Sequence, residues 1–543
     1  MPSNDVIPSK DSVYAVDRHT FSGAYTPPVK KGLPRTISSI CPECLHVIPA
    51  LEYIEGEKVM LKKECPDHGI YEDIIFSDAK LFLQMEKWHF GDGRGFLNPN
   101  VSDAGKCPSQ CGICNMHTTH TSLANVDLTQ RCNLSCNVCF ANSNKNYYEP
   151  DYEDILDMMQ TLRNERPAPA EAIQFTGGEP TIHPRFLDIV KAAKELGFTH
   201  IQAASNGIRL ADPDFAMRVR EAGLQYVYLQ MDGVDDEVFR RIRGRPLLET
   251  KLAVIESARR AGLRIIFVPT IVKGVNDSHI GPLINLAFEN LDVLTGISIQ
   301  PLVFTGRYPN EERISKRFTF GDMIHEVGRQ TGITNTYEDW FPLSGITPFV
   351  KLGSALSGRI LTNHACHHQC VMGTLLFVDK DKNAVPATQF LDLYGLVKEI
   401  NELSEITKKR RFKYFSGIKT LGIIRKYFNA KKAPAGLTFH RFLKTLDGYS
   451  DKKYSWSPEY KGHTYKTFFI LGMHFMDNYN YDLERIRRCA VHYAAPNGRI
   501  YPFCTYNVGH TFRNKVERAF VLKKEKIKDL HPNRKPESRI EIS

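Results

Sequence analysis

Between Asn125 and Pro301, apolar runs of strand length alternate six times with longer segments, and this constrains the fold more than any other feature. The runs are Asn125–Thr129, Ala172–Phe175, His200–Ala204, Tyr226–Gln230, Arg264–Thr270 and Gly296–Pro301. Between them, segments such as Arg185–Leu196 and Lys251–Ala261 space their apolar residues as one face of a helix does. Such alternation implies a parallel sheet. The chain is therefore predicted to be α/β, with a partial, open (β/α)6 barrel whose chemistry belongs at the carboxyl ends of the strands. Two motifs fall there. Cys132-Asn133-Leu134-Ser135-Cys136-Asn137-Val138-Cys139 follows the first strand, and Thr176-Gly177-Gly178-Glu179-Pro180 follows the second. Three thiols at this spacing hold three corners of a four-iron cube, which normally takes four cysteinates. The fourth iron is left open to an exchangeable ligand. Half of a zinc site is the competing reading, and the barrel setting with its glycine turn weighs against it.

Together the two motifs resemble the radical S-adenosylmethionine (SAM) superfamily. The resemblance makes Cys132, Cys136 and Cys139 the catalytic metal ligands of a [4Fe-4S] cluster. It also makes Gly177, Gly178, Glu179 and Pro180 part of the SAM site, with the glycines letting backbone approach the ligand and Glu179 near its ammonium group. Ser205 and Asn206 after the third strand, and Asp232 after the fourth, are expected to contact ribose or carboxylate; ordinary turn chemistry is their alternative. The superfamily usually places an aromatic residue before the third cysteine. Here Val138 stands there, and Phe140 follows.

The chain has 543 residues and a formal charge of +10, enough for several domains. Its thirteen cysteines fall in clusters of metal-ligand spacing, and Met1–Lys10 is polar. These features predict a reduced, cytoplasmic protein without a signal peptide. A peripheral position on the inner membrane surface stays open. Apolar runs such as Ile265–Val268 and Phe468–Leu471 are too short to cross a bilayer. The expected organisation is an irregular arm over 1–35, a Cys3His module of rubredoxin or zinc-ribbon type over 36–80, a linker with a cysteine cluster over 81–124, the barrel over 125–320, an auxiliary iron-sulfur domain over 321–515 and a loose tail over 516–543.

Three further donor sets lie outside the barrel. Cys41, Cys44, Cys65 and His68, on knuckles joined by a hairpin turning at Glu55-Gly56-Glu57, suit a structural mononuclear zinc or iron. Cys107, Cys111 and Cys114 suit an auxiliary [4Fe-4S] cluster; completion by His117 or His120 as a zinc site is the alternative. Cys366, Cys370, Cys489 and Cys504 make a four-thiol set for a closed auxiliary cluster, with the turn Pro496-Asn497-Gly498 bringing the last two together. Structural zinc is again the alternative. Lys408–Lys432 carries ten Lys or Arg and no acid, with Phe412, Phe415, Ile418, Leu421, Ile424 and Phe428 at three- or four-residue steps. It suits an anionic membrane surface, a packed helix with a basic rim, or a phosphate-binding face. Gly417 and Gly422 weaken the helix.

From about 36 to 512 the chain resembles the tetraether synthase family. The likeness rests on Cys107-Pro108-x-x-Cys111-Gly112-x-Cys114, His117, His120-Thr121, Cys139-Phe140-Ala141, Gly472–Asp477, and Arg488-Cys489 through Pro502-Phe503-Cys504. It implies radical coupling of two unactivated lipid chain ends, with one or two auxiliary clusters handling the substrate radical. A one-electron donor such as ferredoxin or flavodoxin, an apolar substrate and peripheral membrane contact would be its partners, with no nucleic acid. Two alternatives stand beside it: a radical SAM methyltransferase acting on a dihydropterin, and a non-catalytic multi-cluster electron carrier. If the triplet holds the reactive cluster, Cys132→Ala abolishes SAM cleavage; 5′-deoxyadenosine formation by that variant would refute the role.

Overall fold

The computed structural model describes residues 29–91, 95–410, 413–450, 465–508 and 512–530. Most of the predicted arm, Arg411 and Phe412 of the basic run and the end of the predicted tail lie outside these residues. The chain opens with a four-stranded antiparallel sheet of β1 (Arg35–Ile40), β2 (Val47–Glu55), β3 (Lys58–Cys65) and β4 (Gly69–Phe76), hydrogen-bonded in that order. The β2–β3 hairpin turns where the sequence places it. Gly56 has φ 60°, a conformation glycine adopts without a Cβ clash.

The predicted strands appear as β5 (Leu123–Asp127), β6 (Ala172–Thr176), β7 (His200–Ser205), β8 (Tyr226–Gln230), β9 (Arg264–Val268) and β10 (Leu294–Pro301). Each pairs in parallel with the next. In β8 the alternation is clean. Val227 and Leu229 are fully buried, while Tyr228 and Gln230 turn to the barrel interior and line its cavity. Between strands, the helix Tyr152–Arg163 starts with a reciprocal Asp151/Asp154 capping box. The helix Asp236–Arg243 starts at Asp235, whose side chain caps Val238 N, and stops at the left-handed Gly244.

The region after 320 is less separate than its sequence suggests. The apolar run Phe468–Leu471 belongs to β12 (Tyr465–Met473), which pairs in parallel with β10. At the other end, β13 (Val491–Ala494) pairs in parallel with β5. The parallel run thus has eight strands rather than six, two of them supplied by the predicted auxiliary domain. Antiparallel β11 (Val371–Asp379) flanks β12, and β14 (Ile500–Pro502) flanks β13. A continuous core runs from the first sheet through the barrel to Phe468 and Ile500.

The predicted loose tail is corrected over its first part, where Phe512–Leu530 is a helix. Val516 and Phe520, one turn apart, are buried, with Phe520 against Tyr148 at 5.3 Å. Arg513 forms a buried ion pair with Asp127 of β5, and Glu517 accepts from Gln130 (2.6 Å) and Asn146 (2.8 Å). Glu517, a charge of the predicted tail, is thus buried and partnered.

One buried cation ties the amino-terminal sheet to the rest. Arg317 pairs with Asp73 of β4 and with Asp477 beyond β12 (2.6 Å), all three side chains being at most 1% exposed. Its charge survives burial because two carboxylates offset the desolvation. Arg317→Met strands Asp477, leaves Asp73 with Arg313 alone, and is expected to cost about 3–5 kcal/mol. Thermal unfolding of the metal-loaded protein should show a lowered midpoint; an unchanged one would contradict the role given to this triad.

Candidate active site

The β5 loop carries the three thiols and is pinned by residues that the motif does not name. Asn144 accepts from Cys132 N (2.7 Å) and donates to the carbonyls of Cys132 and Leu134 (3.1 and 3.3 Å). Arg307 donates to the carbonyls of Cys136 (3.2 Å) and Ser143, while its own N–H reaches Cys139 O (3.2 Å). Ser143 N points at Cys139 Sγ, 3.5 Å away. Burial, with Glu179 and the other two thiols nearby, pushes Cys132 up to about 12. The free thiol is therefore protonated, and binding a metal there must expel that proton.

Gly177 and Gly178 serve a different contact from the one expected of them. Gly177 has φ 127°, and a Cβ at either position would collide with backbone of the thiol loop: Thr129 O at Gly177, Arg131 O at Gly178. Gly178 N donates to Thr129 O (2.6 Å) and Glu179 N to Arg131 O (2.9 Å). The glycines thus let the two loops lock together, and both also line the adjoining cavity. Glu179 is buried and accepts from Thr181 Oγ1 (2.6 Å), Ser205 Oγ (2.8 Å) and Asn206 N (2.8 Å). Burial raises its pKa against the pull of those donors. Asn206 in turn donates to Asn133 (2.6 Å), between the first two cysteines. Glu179, Ser205 and Asn206 are therefore one network beside the triplet. Pro180 is buried at the start of a short 3-10 turn and does not line the cavity.

A cavity of about 210 Å³ opens beside the thiols. Cys132, Cys136, Cys139, Phe140, Gly177, Gly178, Glu179, Ser205 and Asn206 all line it. No fourth thiol or imidazole does so among the described residues. That donor set fits a cube with one open iron. Asp232 is a correction. It is fully buried and grips Arg243 with two 2.7 Å bonds while accepting from Thr270 N (2.9 Å), so Arg243 is the group that faces the cavity. Burial opposes the Arg243 charge; Asp232 and the Cys136 thiol more than offset it. Lys251, lowered to about 8 by burial, holds the Asn206 carbonyl from behind. Arg243, Lys251, Asn144 and Arg307 carry no local motif, and only the fold brings them here.

The cavity has two unlike walls. Asn125, Gln174, Tyr228, Gln230 and Gln300 form one, with Gln174 donating to Asn125 (2.8 Å) and Tyr228 to Ser298 (2.5 Å). Gln230 Oε1 is buried and meets no protein donor among the described residues. Leu302, Val303, Met473, Phe475 and Phe503 line the other, where Phe475 and Phe503 stack at 3.8 Å.

The structure gathers the distant thiols. Cys366 lies near enough to Cys370 and Cys489, and Cys504 to Cys370, for their charges to interact, although the set spans positions 366 to 504. Met476 N donates to Cys504 Sγ (3.4 Å) and Arg485 Nε to Cys370 Sγ (3.5 Å), contacts suited to thiolates. Burial lifts Cys504 to about 12 and Cys107 to about 11. Cys107, Cys111 and Cys114 also sit together. Of the two histidines offered for completing that set, His117 has other partners. His117 Nε2 contacts Cys489 O (2.9 Å) and His492 Nε2 (3.1 Å), and its ring also hydrogen-bonds the Thr119 backbone; the His120 ring packs on Phe96 at 5.8 Å.

In the amino-terminal sheet, the donor atoms of Cys41, Cys44, Cys65 and His68 lie within 4.8 Å of one another. Cys44 and Cys65 sulfurs are 3.8 Å apart, and His68 Nδ1 lies 3.4 Å from Cys65 Sγ. A tetrahedral metal with bonds of about 2.3 Å to sulfur needs edges of about 3.8 Å, so zinc fits. Gly178→Ala should abolish iron loading at the triplet while zinc content stays intact. Full iron content with an unchanged reduced-cluster spectrum would contradict the loop contact as its cause.

Residues 126–287 match the family model described as the radical SAM superfamily, and residues 33–77 match the HMPTM N-terminal zinc ribbon domain. The 7,8-dihydro-6-hydroxymethylpterin dimethyltransferase of Methanocaldococcus jannaschii is 39% identical over 501 residues, covering 91% of this chain and 97% of that protein. GTP 3′,8-cyclase of Marinobacter nauticus is 31% identical over 178 residues, covering 33% of this chain and 53% of the cyclase. The chain thus spans about half the length of that second relative. Among solved structures, SuiB of Streptococcus suis bound to S-adenosylmethionine aligns over 38% of this chain and 46% of SuiB, with TM-score 0.33 and 15% identity, too low to argue from. The expected kinship with tetraether synthases is corrected to the pterin enzyme, the alternative that the sequence had left open. This is a radical SAM enzyme with a cluster, SAM and additional metal. The chain belongs to the family of the 7,8-dihydro-6-hydroxymethylpterin dimethyltransferases.

Proposed function

We propose that the protein methylates a dihydropterin-like heterocycle held in the cavity beside Cys132, Cys136 and Cys139. The reading is carried by the 39% identity that runs through nearly the whole of this chain and of the pterin dimethyltransferase. The polar wall supports it. Gln230 and Gln300 offer carboxamides, each both donor and acceptor, to the mixed edge of a pterin ring, while Asn125 and Gln174 are tied to each other and to His492 O and Gln202. Gln230 Oε1 is the acceptor left for a ring N–H.

When bound, the cluster and SAM supply a 5′-deoxyadenosyl radical from one electron, delivered by a donor of the ferredoxin or flavodoxin class. This chain's residues bind, orient and shield. Glu179, fixed by Thr181, Ser205 and Asn206, presents a carboxylate edge to an ammonium group. Arg243, kept charged by Asp232, faces the cavity as an anion partner and suits a carboxylate. Phe475 and Phe503 close the apolar side and exclude water from a reactive centre. The thiol sets at Cys107/Cys111/Cys114 and Cys366/Cys370/Cys489/Cys504 would hold auxiliary clusters.

The apolar wall of Leu302, Val303 and Met473 can cover the flat face of a heterocycle, and it is also the feature that would suit a second reading, the joining of lipid chain ends. Product mass separates the two. Anaerobic protein given a reductant, a dihydropterin, SAM as radical source and a methyl donor (a second SAM, leaving as S-adenosylhomocysteine, or a reduced one-carbon carrier) should yield 5′-deoxyadenosine and a pterin heavier by one or two methyl groups. Gln230→Leu, which leaves a ring N–H unpaired, should lower kcat/KM for the pterin about tenfold or more. A coupled lipid from an expressing strain, with no methylated pterin, would overturn the first reading in favour of the second.

A further inference from the structure

The basic run of Lys408–Lys432 plays no part in the cavity, and the structure gives it an unusual surface. Its helix, Tyr414–Tyr427, is inserted between the strands β11 and β12. It packs inward through Ser416 and Ile423, and Phe428 follows in the same core. The opposite face carries Tyr414, Phe415, Ile418 and Leu421, which are 76%, 65%, 54% and 52% exposed. Tyr414, Ile418 and Leu421 recur at one-turn steps, so they form one stripe with Phe415 beside it. The predicted apolar periodicity is therefore split: Ile424 and Phe428 face the protein, while Phe415, Ile418 and Leu421 face solvent.

We propose that this face docks on a bilayer surface that carries anionic lipid. Large side chains left outside on adjacent turns need an apolar cover, and the cover here must also be negative. Ten Lys or Arg and no acid lie between Lys408 and Lys432. Among the described residues only two of them are in ion pairs, Lys408 with Glu405 and Lys426 with Glu399. Lys413 and Lys419 flank the stripe, Lys419 on the side it shares with Glu399 and Glu402, and both can reach headgroup phosphates while the apolar side chains enter the acyl boundary. A second copy of the chain is a poor cover, because a two-fold contact on this face would oppose like charges. Nucleic acid would use the lysines and leave Ile418 and Leu421 without purpose. None of this depends on the substrate held in the barrel.

Flotation of the metal-loaded full-length protein with vesicles tests the proposal. Vesicles of phosphatidylcholine with phosphatidylglycerol should carry the protein up, and vesicles of phosphatidylcholine alone should not. Raised salt should weaken the binding. The exposed pair Ile418→Asp with Leu421→Asp, and separately Lys413→Glu with Lys419→Glu, should each lower the partition at least about tenfold, since one basic residue near an anionic surface contributes about fivefold. Unchanged metal content and unfolding midpoint would certify the variants as folded. No flotation of the wild type, or equal flotation of both variants, overturns the proposal. So does a concentration-dependent dimer that Ile418→Asp with Leu421→Asp abolishes, or tighter binding to an RNA or DNA oligonucleotide than to the vesicles.

Discussion

The active centre depends on a contact between two backbones. Gly177-Gly178 lies so close to Thr129 and Arg131 that neither position has room for a Cβ. This approach and its two hydrogen bonds join the turn after β6 to the thiol loop after β5. Glu179 follows the contact directly, so its carboxylate is placed by the same lock that positions the thiols. The geometry of the whole site is thus set by strand spacing. Parallel neighbours about 4.8 Å apart bring two consecutive loops into register at the carboxyl edge of the sheet.

Around that lock the protein buries charge, and in each case the charge has partners. Arg317 with Asp73 and Asp477, and Arg513 with Asp127, join segments far apart in sequence, while Arg243 with Asp232 joins a helix to the strand end just before it. Such pairs contribute little net stability over apolar packing, yet removing one partner is costly. They fix how parts meet. Arg317 sets the zinc ribbon against the region after β12, Arg513 sets the last helix against β5, and Arg243 reaches the cavity because Asp232 aims it.

The six barrel strands were legible in the sequence because buried parallel strands read as short apolar runs between amphipathic helices. The thiol sets were legible from spacing, and the Cys44–Cys65 pairing from a turn. Long-range pairing was not. Residues 465–473 and 491–494 join the barrel only through partners about 170 and 370 residues away, which no local pattern encodes. Asp232 looked like a ligand contact because a carboxylate at a strand end is exposed by default. It became a positioning group once Arg243 came from the next helix. The last helix was hidden by the charge of the segment after Lys515, which reads as solvated until Gln130 and Asn146 are placed beside Glu517. The lipid-coupling expectation has less behind it: it rested on the cysteine motifs and their flanks, whereas the likeness along nearly the full chain runs to a pterin enzyme.

The central claim is that Cys132, Cys136 and Cys139 hold a cube whose remaining iron takes an exchangeable ligand. Electron-nuclear double resonance on the reduced, anaerobic protein with SAM labelled at its amino nitrogen and carboxylate oxygen tests this most directly. Hyperfine coupling from the labelled atoms to the cluster, absent in Cys132→Ala, is the predicted result. A cluster signal with no coupling to either label, and no change when SAM is added, would contradict the account.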